Sequence, residues 1–253
     1  MARIMIVVAA VLVVLLLIGT IVAFAVAAAR RSRSEDDAGS LVRVTRVVGV
    51  LWVIFAVVGA VANLLLPLLT PAVSITMPIQ EFWPQLPSTV DLQTDATRVS
   101  GGFTSVTLAV EGLTPLTRAL WGVSQMIVWA IPGVIALFVV IACSRLLEGA
   151  AFAPVVARMA TTTGAVVAFG GVAAQVMGDI AGSIASTQLF GAKGGSWEGD
   201  YAGIDNVFDA WVPASTVQIS FPFWPIAIGL AFAVLGAILR SGSRLQNDVK
   251  GLV

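Results

Sequence analysis

The residue best placed for chemistry is an aspartate inside an apolar helix. Asp179 lies in the outer half of the stretch Thr162 to Ser186, with Gln175 one turn before it and Ser183 one turn after it on the same face. A carboxylate at membrane depth is costly and by default marks an ion path or a proton relay. The competing reading is a shallow carboxylate that reaches water or hydrogen-bonds an outer loop, since only about seven residues, roughly 10 Å of rise, separate it from the end of the stretch. Asn63 lies at a comparable depth in the stretch Val47 to Leu69. Asp179, Gln175 and Asn63 therefore form the candidate intramembrane polar site, and a small transporter or channel component is the function it would serve.

Other chemistry is thinly represented. The chain has no histidine, one cysteine and one tyrosine, which removes the commonest general base and any intramolecular disulfide. Cys143 stands beside Arg145 at a helix end, where lipidation is one reading and a small apolar residue the expected one. The acids Glu198, Asp200, Asp205 and Asp209 invite a calcium reading, but DYAGIDNVFD lacks the alternating acidic spacing of a calcium loop and reads as a solvated acidic loop. Phosphate-loop, dinucleotide, nucleophile-elbow and zinc-helix patterns do not occur. These residues predict no catalytic, cofactor-binding or metal site, and a protein that is not an enzyme. A formal net charge of zero supplies no basic field for nucleic acid.

The elements that hold these residues follow from composition. Hydrophobic residues make up 58% of the chain and charged residues 11%, with mean hydropathy +0.98, against about 25% charged in soluble domains. The lipid bilayer is the expected partner and the cell membrane the expected location. Five stretches approach the roughly 20 apolar residues that cross a bilayer: Ile4 to Ala29, Val47 to Leu69, Leu120 to Ala142, Thr162 to Ser186 and Phe223 to Leu239. Arginine and lysine fall mainly after spans one, three and five, which puts the N-terminus outside and the C-terminus in the cytoplasm. The first stretch is longer than a signal-peptide core and its positive flank follows it, so a retained helix is expected, with a cleaved signal as the alternative. Pro132, followed by Gly133, predicts a kink in span three. Gly178 and Gly182 make a close-approach step that suits either an oligomer face or packing within the bundle.

The layout is an N-terminal transmembrane helix over 1–29, a cytoplasmic linker over 30–44 and a four-helix membrane domain over 45–253, with extracytoplasmic loops 70–119 and 187–222. Val73, Ile75, Met77 and Ile79 alternate with polar or smaller residues, and Phe103 to Val110 is rich in β-branched residues, so both read as strands. Thr216 to Phe221 is a third candidate, and three strands would make a small antiparallel sheet more stable than two. Gln188 to Trp211, rich in glycine and acid, reads as a mobile loop over that sheet. The fold class is a membrane all-α bundle, a four-helix unit plus one extra N-terminal transmembrane helix, with a small antiparallel β extracytoplasmic portion formed by two loops.

Two segments on the cytoplasmic side resemble a known pattern. Arg145 to Arg158 (RLLEGAAFAPVVAR) carries Gly149 and Phe152 three apart between two helices, and the tail carries Gly242, Arg244, Leu245, Asp248 and Val253. Both are similar to an uncharacterised bacterial membrane family, domain-of-unknown-function family 2975, over about residues 41 to 253; the first helix departs from it. The resemblance implies the four-helix architecture and no activity. Arg145, Gly149, Phe152, Gly242, Arg244 and Asp248 form a candidate turn and tail motif, with Arg244 and Asp248 one turn apart. A protein partner docking there, in a membrane-embedded interaction or sensory protein, is the leading function.

Overall fold

The computed structural model describes residues 37–91, 93–150, 152–191 and 194–250, so the first predicted span, Ile4 to Ala29, lies outside the described residues. The elements are α1 (Asp37–Leu69), β1 (Val73–Phe82), β2 (Phe103–Val110), α2 (Pro115–Leu147), α3 (Pro154–Phe190), α4 (Val207–Trp211) and α5 (Trp224–Lys250). Among the described residues, four helices are long and apolar enough to cross a membrane: Gly39–Leu69, Pro115–Leu147, Pro154–Phe190 and Trp224–Leu245. Proline is the first residue of α2 and α3 and the second of α5, where its missing N–H leaves no helical bond unmade. The α2 helix runs unbroken through Pro132. The stretch read as a linker is helical from Asp37 onward.

The helices run through two compact units. One holds 37–58, Ala130–Phe169 and 224–250. Its core is Phe138, Val156 and Ala160, with Phe232 edge-on to Phe138 at 5.6 Å. Gly164 and Gly229 set the approach of α3 to α5, since a Cβ on Gly164 would stand 2.6 Å from the Gly229 carbonyl oxygen.

The other unit holds Gly59–Trp129 and Gly170–Phe223. Its core is the inward row of β1, Val73, Ile75 and Met77, packed with Leu113 and with Ala181 and Ala185 of α3. Strands β1 and β2 pair antiparallel with Val73 opposite Val110 and Pro78 opposite Ser105, and the register shifts before Phe82 meets Phe103. On the outward side the Thr76 and Thr107 hydroxyls bond at 2.8 Å.

The expected third strand does not form. Among the described residues, β1 is met only by the chain just before that segment, at the isolated bridge Ile79 to Ser215 and the bond from Gln80 N–H to the Ala214 carbonyl, 3.0 Å. Continuing that pairing would set residue 217 against Met77 and 219 against Ile75, along the edge that α3 already covers. The Thr76 carbonyl lies where a Cβ on Gly182 would be 2.5 Å away, the Pro78 carbonyl accepts from Ser186 Oγ at 2.6 Å, and Pro78 has no N–H to offer. The sheet has two strands.

The stretch read as a mobile loop is anchored instead. Gln85 N–H bonds the Ala210 carbonyl at 3.0 Å, Trp211 Nε1 donates to the Gln85 carbonyl at 2.8 Å, and Ser88 N–H bonds the Ala202 carbonyl at 2.9 Å. Ile204 and Ala210 of this stretch are buried. Asn206 caps the short α4, its Oδ1 accepting from Phe208 N–H at 2.9 Å.

Candidate functional site

The sequence points to two places, one in each unit. In the sheet-bearing unit, α3 carries Gln175, Asp179, Ser183 and Ser186 at helical spacing on its C-terminal half. Gln175 Nε2 donates to Asp179 Oδ1 at 2.8 Å, and the other oxygen, Oδ2, accepts from the backbone N–H of Ser220 at 2.6 Å. One turn on, Ser183 Oγ donates to the Gln218 carbonyl at 3.3 Å while the Gln218 N–H points back at that hydroxyl, 3.2 Å away. Both carboxylate oxygens are thus engaged, and the second holds the backbone of the loop at Ser220. The segment expected to join the sheet runs along this helix, Ser183 and Asp179 meeting the backbone groups that a neighbouring strand would have met.

Asn63 is not part of this arrangement. Its Nδ2 donates to the Gly59 carbonyl of its own helix at 2.8 Å, and among the described residues no hydrogen bond joins it to Asp179. A polar side chain in an apolar helix meets its needs most cheaply one turn back. Gly178 and Gly182, the alternative oligomer face, are taken up inside the unit: a Cβ on Gly178 would stand 2.8 Å from Ser124 Oγ, which itself donates to the Ala174 carbonyl at 2.8 Å.

Two polar anchors had not been singled out. Arg118 Nη2 donates to the carbonyls of Thr70 and, at 2.9 Å, Pro71, just beyond the C-terminus of α1. Gln188 accepts from Thr114 N–H at 3.2 Å and donates to the hydroxyls of Thr114 and Thr117, closing the start of α2. The signal for both is positional, since each lies within a turn or so of a helix end whose orphaned groups need partners.

In the other unit, α2 ends in a glycine turn. Gly149 takes φ +72°, Ala150 N–H bonds the Arg145 carbonyl at 2.8 Å, and Gly149 N–H bonds the Leu146 carbonyl at 3.1 Å. This paired closure satisfies carbonyls the helix leaves open. Arg145 and Glu148 form an exposed ion pair at 2.7 Å, worth at most about 1 kcal/mol. The Phe152 ring lies against Gly242 of α5, where a Cβ would come within 2.6 Å of it, so the turn and the tail meet directly. Arg158, Arg240 and Arg244 are exposed in the same unit. The expected pairing of Arg244 with Asp248 lies outside the described side chains. Replacing Gly149 by alanine should lower stability by about 1 kcal/mol, because a side chain there is forced into the left-handed region; a melting temperature equal to that of the parent protein would contradict the turn geometry.

Among the described residues no group of three or more histidine, cysteine, aspartate or glutamate side chains is gathered closely enough to hold a metal ion. No protein-family model, curated protein or solved structure matches this chain. What the fold and these sites define is a class: a mainly helical chain with four apolar helices of membrane-spanning length and a two-stranded sheet.

Proposed function

We propose that the chain is a multi-pass protein of a bacterial cell membrane, N-terminus outside and C-terminus in the cytoplasm, that works through contacts made by its turn and tail and not through catalysis. It is an interaction or sensory protein with the sheet-bearing portion on the outer side; the resemblance to domain-of-unknown-function family 2975 implies its four-helix architecture and no activity. The observation that carries the reading is the contact of Phe152 with Gly242. It joins the two resembling segments, 90 residues apart in the chain, in a unit whose Arg158, Arg240 and Arg244 are exposed. Exposed arginines suit an acidic segment of a partner protein.

The transporter reading loses support because both oxygens of Asp179 are spent on Gln175 and Ser220. The test is mass spectrometry of what co-purifies with the tagged protein in mild detergent, compared with a chain truncated after Arg240 and with Phe152→Ser. A specific partner lost in both variants supports the interaction role. A solitary protein in all three samples, with solute flux in liposomes abolished by Asp179→Asn, would replace it with the transporter.

A further inference from the structure

The segment that fails to become a strand has a composition that calls for its own explanation. From Thr216 to Phe223 the chain alternates: Thr216, Gln218 and Ser220 fall on one side, and Val217, Ile219, Phe221 and Phe223 on the other. Those four apolar side chains are between 54% and 76% exposed. A run of this kind beside water would be an aggregation hazard. It leads in the chain straight into α5, which opens on Trp224 and Pro225.

Its level within its own unit can be read along α3. Gln188 stands level with Thr114 and Thr117 at the start of α2, and Arg118 with the end of α1. Ser183 lies five residues and Asp179 nine residues before Gln188, so the segment they hold sits roughly 7 to 14 Å beneath that polar ring. On α1 this is the depth of Leu65 and Leu66, which are exposed and apolar. One edge of the segment's backbone is satisfied by Ser183 and Asp179. On the other edge no hydrogen bond to Val217 or Ile219 is formed among the described residues, and such groups must reach water or lipid headgroups, since the hydrocarbon centre offers nothing to bond.

We infer that Val217–Phe223 is a membrane-interface strap: an extended segment at the outer headgroup boundary whose Val217, Ile219, Phe221 and Phe223 side chains enter the acyl chains, with Asp179 and Ser183 as positioning residues that hold its backbone. This rests on the membrane reading above. Tryptophan favours that boundary, and Trp224 follows the segment directly; the polar side of the segment faces the headgroups. Asp179 is thereby an anchor for the strap and not a path for ions.

The test uses the full chain in phosphatidylcholine and phosphatidylglycerol liposomes, with Cys143→Ala as background and single cysteines placed in turn at 216 to 221, at Leu65 and at Glu198, each spin-labelled. Collision with oxygen reports lipid and collision with a soluble nickel chelate reports water. The expected result is a two-residue oscillation in the oxygen-to-nickel ratio, severalfold higher at 217, 219 and 221 than at Glu198, with Leu65 comparable to the maxima. Asp179→Ala should flatten the oscillation and Asp179→Asn, which keeps an acceptor oxygen, should preserve it. Water-like values at 217, 219 and 221 with Leu65 in lipid would overturn the strap and leave the membrane reading standing. Water-like values at Leu65 as well would overturn both, and an oscillation indifferent to Asp179→Ala would remove the anchoring role.

Discussion

Replacing Gly182 by valine should cost about 3 kcal/mol, the upper part of the range for overpacking a close-packed site. The first added carbon would stand 2.5 Å from the Thr76 carbonyl oxygen. That neighbour is backbone, and it belongs to a strand whose adjacent residues Ile75 and Met77 are fully buried, so it cannot step aside. The observable is the thermal transition of tryptophan fluorescence in detergent, which should fall by several degrees. Gly170→Ala on the same helix is the control. Its nearest neighbour, Ile127 Cγ2, would be at an ordinary 3.5 Å, and a helical glycine-to-alanine change favours the helix by roughly 1 kcal/mol. If Gly182→Val melted with the parent protein, the approach of α3 to β1 would be wrong, and with it the reason the third strand is excluded.

The second large effect is expected inside the sheet. Met77→Ala and Ile75→Ala should each cost about 2 to 5 kcal/mol, the range for truncating fully buried side chains where the site cannot collapse. Both side chains are 0% exposed and pack in the cluster with Leu113, Ala181 and Ala185. Thr76→Ala, between them on the outward face, forfeits only the hydroxyl contact with Thr107, so its cost should stay within about 1 kcal/mol. Urea titration of the three variants reads the alternation directly: large, small, large. Equal losses at all three positions would mean that β1 does not present one face to α3.

These expectations divide along the line between local and distant information. The strand Phe103–Val110 and the turn at Gly149 were legible because each follows from short-range rules: side-chain alternation and the left-handed freedom of glycine. Asp179 was legible as a candidate, since a carboxylate in an apolar helix is conspicuous. Its partner was not. Ser220 is a backbone donor 41 residues away, and no property of a serine side chain announces that its N–H will be needed. Ser186 shares the face of Asp179 seven residues on, yet its role comes from the Pro78 carbonyl 108 residues away.

The segment Thr216 to Phe221 shows the division most plainly. Its alternation and β-branched content made it a strand by every local measure. Whether an extended segment pairs is decided by whether an edge is free. The edge of β1 was closed by Gly182, by Ser186 and by the missing N–H of Pro78. The sequence alone therefore determined the four long apolar helices, the two strands and the glycine turn, because hydrophobic length, periodicity and backbone sterics act within a few residues. Tertiary structure alone decided the fate of the third strand, the task of Asp179 and the meeting of Phe152 with Gly242, because each depends on which distant backbone group reaches a partner first.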